Sequence, residues 1–296
     1  MSSQQLKVII GIDMETDVGS FTPFYEGVKH GTPLLIELFK RKGVKATFYF
    51  TGESARENPE IARLVAESGN EIGCHSLYHE TLGDELFPIP GLKPVLSEEV
   101  PICIKAATEW VEKASGIRPV SFRCPRLWGS TTVVNTLEEL GYITDASYPM
   151  YFYRKQLAPY HPSHENWLEK GGMRILEIPN FADMLMESKD HPLERDRDQW
   201  PLFRTRGVDE LIVHINNFLT FGNQRGIPPV LCFYFHPWEF IPMKQSFHFG
   251  ECEVIPDRFI TEGCGEKACK ALDMLIDYLK SIGGVFYRAD EMVCFF

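Results

Sequence analysis

The chain has no run of like charge, no Ser/Gly-rich or Pro-rich linker and no repeat at a fixed period. Solenoid arrays are thereby excluded, and nothing marks a domain boundary. None of its eight cysteines form a C-x-x-C pair, and Cys264 and Cys269 also lack that spacing, so neither a zinc ribbon nor a thioredoxin-type redox site is written here. Apolar runs long enough to cross a bilayer are missing too, and Met-Ser-Ser-Gln-Gln-Leu-Lys leads straight into a strand-like segment without a readable signal peptide. A cytoplasmic location is expected. Basic residues are scarce, 30 against 41 acidic for a net charge of −11 at pH 7, which opposes nucleic acid and other polyanions as partners.

What is present is an alternation of strand and helix signals. Short β-rich runs occur at Lys7–Asp13, Ala46–Gly52, Glu71–Ser76, Ser121–Pro125, Ile143–Ser147, Ile175–Asn180, Val230–Pro237 and Val285–Asp290. Stretches of helical period lie at Pro33–Lys42, Pro59–Ser68, Ser97–Ser115, Thr131–Leu140, Val208–Gly222 and Glu266–Ile282. Gly43, Gly69, Gly116, Gly141 and Gly283 stand where helices commonly end in a left-handed residue. Repeated βα units predict a parallel sheet, open or closed into a barrel, and 296 residues suffice for one such domain. The expected organisation is therefore one domain over 1–296, with insertions near 81–94, 148–173 and 183–206 that are long for βα loops and suited to wall a cleft. Cys74, Cys124 and Cys232 fall within apolar strand-like runs, as free buried thiols do.

Chemistry collects at the ends of these strands. His75 and His79 are four residues apart, which on a helical turn brings their Cβ atoms to roughly 5–6 Å, close enough to share an ion. With nine histidines in the chain the spacing alone is a weak signal. Its weight comes from Asp13-Met-Glu15, Arg123-Cys-Pro125 and His236-Pro-Trp, each a polar group behind an apolar run. In a parallel barrel the C-terminal strand ends share one rim, which brings these distant segments together. Asp13, Glu15 and Asp17 alternate with Met14 and Thr16 and face one side if the strand persists. Two nitrogens and one acidic residue of this strand, Asp13, Glu15 or Asp17, make a familiar catalytic metal set.

Gly11-Ile-Asp13-Met-Glu15, Ala46-Thr-Phe-Tyr-Phe-Thr-Gly52, the His75/His79 segment, Phe122-Arg-Cys-Pro125, Tyr142-Ile-Thr-Asp145-Ala-Ser147 and Phe235-His-Pro-Trp-Glu239 together resemble the NodB-homology family of polysaccharide deacetylases, the carbohydrate esterase family 4 type. The resemblance runs from residue 7 to about 240. It implies an α/β fold, a distorted (β/α)7-type barrel. It also implies a metal-dependent hydrolase of carbon–nitrogen amide bonds, removing acetyl from an N-acetylated sugar or glycan. By the family pattern Asp13 is the base, Arg123 its partner, and His236 the acid that protonates the departing amine. Glu15, His75 and His79 are the ligands of one divalent ion, zinc first, with Co, Ni, Mn or Fe as options. The family usually has two adjacent Asp where this chain has Asp13-Met-Glu15, which leaves the carboxylate ligand open. Pro125, Arg126, Asp145, Trp128 and Trp238 are read as substrate or oxyanion contacts, the last two with Tyr148 as stacking rings. His161, His164, His191 and His248 are read as exposed. Two other activities compete: hydrolysis of another amide, such as a formamido sugar, cyclic imide or ureide, and carbohydrate binding without catalysis. The expected partner is an N-acylated sugar or related small amide, without a membrane span, and homo-oligomerisation is left open.

Overall fold

The run Lys-Val-Ile-Ile-Gly-Ile-Asp-Met has the β-branched content of a strand buried on both faces, and it forms β1, Lys7–Met14, buried at every position after the first. This is a computed structural model that describes residues 5–89, 91–189 and 195–296. The other strands are β2 (Thr47–Phe50), β3 (Glu71–Cys74), β4 (Ser121–Phe122), β5 (Thr144–Asp145), β6 (Leu176–Glu177), β7 (Val230–Phe235), β8 (Phe247–Phe249), β9 (Cys252–Val254) and β10 (Val285–Tyr287). All pairings among β1–β7 and β10 are parallel. Along one edge β1 meets β10 at its start and β2 at its end, and β7 follows its other edge. The sheet continues from β2 through β3, β4 and β5 to β6. Beyond β6 the Phe181 N–H donates to the Cys232 carbonyl in β7, which draws the far end of the sheet back toward its beginning. This is the expected distorted (β/α)7-type barrel.

All eight expected strands are present, three of them shortened to two residues. The six expected helices form at Thr32–Lys42, Pro59–Glu67, Val100–Ser115, Thr131–Glu139, Val208–Arg225 and Glu266–Ser281. The five punctuating glycines have positive φ. The helix over 208–225 continues through Gly222 and ends at Gly226 instead, because Gly222 is buried there and packing outweighs its poor propensity. Several short elements went unforeseen, among them the helix Gly52–Glu57, the helix Arg258–Thr261 and the antiparallel β8–β9 hairpin.

The segment 148–173 corrects the expectation that it walls a cleft. Tyr148, Tyr151, Tyr160 and Trp167 are buried, and Tyr148 packs against Tyr153, Tyr160 and Trp167. Its apolar payload makes it part of the core. All eight cysteines are free thiols. His164 and His248 are exposed as expected, whereas His161 is half-buried with Nδ1 on the Ile175 carbonyl; His191 lies outside the described residues. Among the described residues no helix is long and apolar enough to cross a membrane.

Candidate active site

Strand register fixes the floor of the site. Ile12 pairs with Phe235, so Asp13 and His236 emerge side by side from β1 and β7. Cys74 pairs with Phe122, which sets His75 beside Arg123. Each side chain thus comes from a C-terminal strand end, the rim where parallel barrels carry their chemistry.

Arg123 is fully buried and donates from Nη1 to Asp13 Oδ1 at 2.8 Å. Its Nε donates to the Ala146 carbonyl, and the guanidinium lies 4.5 Å from the centre of the Tyr49 ring. Gly11 makes room for it: a Cβ there would sit 2.1 Å from Nη1. The pair is held on three sides and keeps one carboxylate at a set orientation.

The Glu15 carboxylate is buried. Around it stand three imidazoles: His79 Nε2 at 2.5 Å, His75 Nε2 at 3.6 Å and His236 Nε2 at 4.0 Å. Ligand atoms of Glu15, His75 and His79 all lie within 4.8 Å of one another. His75 Nδ1 donates to the Arg123 carbonyl at 2.7 Å, and a donor at Nδ1 leaves Nε2 bare in the neutral ring. Burial pushes His79 down to about 4, keeping it neutral. For Glu15, burial alone would raise the pKa, but His79, His236 and His75 outweigh it and hold the carboxyl well below its usual range. A carboxylate with two imidazole nitrogens is a donor set that divalent first-row ions take, so these residues fit such an ion.

The two histidines do not share a helical turn, contrary to the spacing argument. Residues 75–80 form a bent loop after β3, in which Ser76 and His79 have positive φ and fold the chain back so that the ring centroids are 5.1 Å apart. Asp17 is turned away because β1 ends at Met14; its carboxylate accepts the backbone N–H groups of Glu26 and Gly27. Burial, partly offset by those donors, raises Asp17 to about 6.

His236 is oriented from behind by residues the sequence reading assigned no role. Its Nδ1 lies 2.9 Å from Glu239 Oε1, which also accepts the His236 backbone N–H. Glu239 in turn receives Arg204 Nε at 2.6 Å, and both side chains are fully buried. Burial opposes charge on His236, yet Glu15, Glu239 and Asp13 prevail and hold its pKa above the ordinary imidazole value. The i, i+3 spacing of His236 and Glu239 behind a strand was a readable sign. Arg204, 35 residues away, left none.

These groups open into one cleft of about 620 Å³, with Asp13, Glu15, His75, His79 and His236 at its floor. Arg126 and Trp238 line it; Arg126 donates to the His79 carbonyl, and the Trp238 ring stacks on His236 at 5.1 Å. Pro125, Trp128 and Asp145 do not line it. Trp128 is buried with its ring edge-on to Phe87, because the turn at Arg126 and Leu127, both with positive φ, directs it inward. Asp145 is buried beside Glu177 and accepts from Ser147 Oγ, and burial raises it to about 6. Tyr148 is likewise core.

Residues 18–144 match the family model described as polysaccharide deacetylase. Over that segment the chain is similar to the polysaccharide deacetylases. The matched stretch holds His75, His79 and Arg123, with Asp13 and Glu15 just before it and His236 beyond. Among curated members of the family, the chain is 26% identical over 126 residues to the peptidoglycan-N-acetylmuramic acid deacetylase PdaA of Bacillus subtilis, covering 42% of this chain and 44% of that protein. It is 31% identical over 111 residues to the chitooligosaccharide deacetylase of Azorhizobium caulinodans, covering 37% of this chain and 48% of the other. The chain thus spans less than half the length of these relatives. A crystal structure of a probable polysaccharide deacetylase from Pseudomonas aeruginosa superposes with a TM-score of 0.63 at 15% identity, over 99% of this chain and 91% of the other. At that identity the likeness establishes the deacetylase fold alone.

Proposed function

We propose that the chain is a metal-dependent hydrolase that removes an acyl group, acetyl in the first instance, from an amide nitrogen. The observation that carries this reading is the convergence of three units on one cleft: the Glu15, His75 and His79 donor set, the Asp13–Arg123 pair, and His236 backed by Glu239. Polarisation of a carbonyl and acidification of water are the chemistry a divalent ion supplies when bound to such ligands. Asp13, held by Arg123, takes a proton from water as it attacks the acyl carbon. His236 delivers a proton to the amine nitrogen as the C–N bond breaks, and its raised pKa keeps that proton available near neutrality. The Arg126 backbone N–H is a donor for the carbonyl oxygen as it gains charge.

The geometry supports amide hydrolysis, and the names of the relatives favour N-acetylated sugars as the substrate class. The test is metal analysis together with acetate, formate and ammonia release on N-acetylated mono- and disaccharides and an acyl-amide panel. One divalent ion per chain is expected, lost in His75→Ala and in His79→Ala. Asp13→Asn is expected to keep the ion and lose roughly 10²–10⁴-fold in rate. Full metal content and turnover in both histidine variants would refute the ligand set.

A further inference from the structure

Two large apolar side chains at the mouth of the cleft stand open to solvent, Phe21 at 48% exposure and Phe259 at 46%. From Phe259 a line of rings runs to the floor. Phe259 meets Trp200 edge-on at 6.0 Å, Trp200 meets His236 edge-on at 5.9 Å, and Trp238 stacks beneath His236. Leu202 and Ile260 fill the same side. The charged side chains of this wall are already engaged within the protein: Arg206 with Glu210 at 2.8 Å, Glu262 with Arg258 at 3.6 Å and Asp196 with Ser188 at 2.6 Å. A sugar ring needs partners for its hydroxyls as well as a face to stack on, and buried hydroxyls without partners weaken binding. This wall offers rings and few free polar groups.

The side of the cleft matters. If His236 is the acid, as the proposed function has it, the departing nitrogen must approach His236 Nε2, so the amine half of the substrate lies along this aromatic line while the acyl half faces Asp13 and the donor set. We propose that the Trp200–Phe259 wall is a pocket for an apolar amine half, so that the substrate is a small N-acyl amide of an aromatic or branched aliphatic amine. Water adds across its C–N bond: the oxygen joins the acyl carbon, a proton goes to nitrogen, and a carboxylic acid and an amine leave. A cleft of about 620 Å³ suits a compact molecule of this kind.

Recognition is read apart from turnover by calorimetric titration of N-acetylphenethylamine, N-acetylglucosamine and N,N′-diacetylchitobiose into zinc-supplemented Asp13→Asn protein. The aralkyl amide should bind at least 10-fold more tightly than either sugar. Phe259→Ala in that background, a change at an exposed ring that leaves the core intact, should weaken the aralkyl amide by about fivefold or more and the sugars by less than twofold. A sugar binding as tightly as the aralkyl amide, equal losses for both in Phe259→Ala, or no detectable binding of the aralkyl amide would each overturn the pocket. Acetate release by the unmutated zinc-supplemented protein tests the hydrolase reading separately: the binding preference without release from any substrate would sink that reading and leave the pocket standing.

Discussion

Gly11→Ala tests the floor of the site with one methyl group. Gly11 sits inside β1, paired with Thr47 on one side and Tyr234 on the other, so the backbone has little freedom to yield. The new Cβ would lie 2.1 Å from Arg123 Nη1 and 2.6 Å from both Cζ and Nη2. Reaching the 3.4 Å of ordinary contact requires about 1.3 Å of displacement of the guanidinium. The hydrogen bond to Asp13 is 2.8 Å, and a shift of that size breaks it. A buried carboxylate and a buried guanidinium are then left apart, a loss of about 3–5 kcal/mol when a buried pair is broken. Stability by urea unfolding should therefore fall by several kcal/mol, and turnover by roughly 10²-fold or more because the base has lost its orientation. Zinc content should persist, since the one ligand bonded to Arg123, His75, meets its backbone carbonyl and not its guanidinium. A variant within about 1 kcal/mol of the parent in stability and within threefold in rate would show that Arg123 is not held by the space Gly11 leaves.

Glu71 is buried, accepts from Thr47, Ser121 and the Asp290 N–H, and is pushed by burial from 4.5 to about 7. Because the folded state holds that proton more tightly, its contribution is fully present below about pH 4.5 and lost as pH rises toward 7, about 3 kcal/mol in all; Glu71→Gln should flatten this slope in urea titrations from pH 4 to 8, and an unchanged slope would assign it elsewhere. Glu239→Gln removes the charge that helps hold His236 above its ordinary value, so the alkaline limb of the rate profile should move to lower pH and kcat fall roughly 10–100-fold. A rate loss without any movement of the limb would make Glu239 a packing residue only. Chelation of a metal supplied at 100 times its dissociation constant should lower stability by about 2.7 kcal/mol, a difference expected to vanish in Glu15→Gln and, if it persists there, to place the ion elsewhere.

The barrel was legible because its signals are local: β-branched runs for strands, 3.6-residue spacing for helices and glycine at the helix ends. The site was legible in part, since Asp13, His75, Arg123 and His236 each stand at the end of such a run, and parallel topology brings strand ends together whatever lies between them. Orientation was not legible. Trp128 and Asp145 occupy rim positions by sequence, but two positive-φ residues before Trp128 and the carboxylate of Glu177 beside Asp145 direct both inward. The cleft wall at 148–173 failed for a related reason: length suggested a loop, while the aromatics within it joined the core. Arg204 shows the limit most clearly, because its partner Glu239 is 35 residues away and the contact depends on tertiary packing alone.

Charge accounting at the floor ties these contacts together. Among the described residues three buried carboxylates surround the cleft floor, and two are answered by guanidinium groups, Asp13 by Arg123 and Glu239 by Arg204. Glu15 has no guanidinium; its neighbours are imidazoles. Burying an ionised carboxylate costs several kcal/mol unless charge answers it. His79, at about 4, gives none near neutrality, and His236, held above its ordinary value, stands 4.0 Å away on Oε1. On its other side the Glu15 carboxylate meets the bare nitrogens of His75 and His79, so the place where a divalent ion would add positive charge is the place where the three ligands converge.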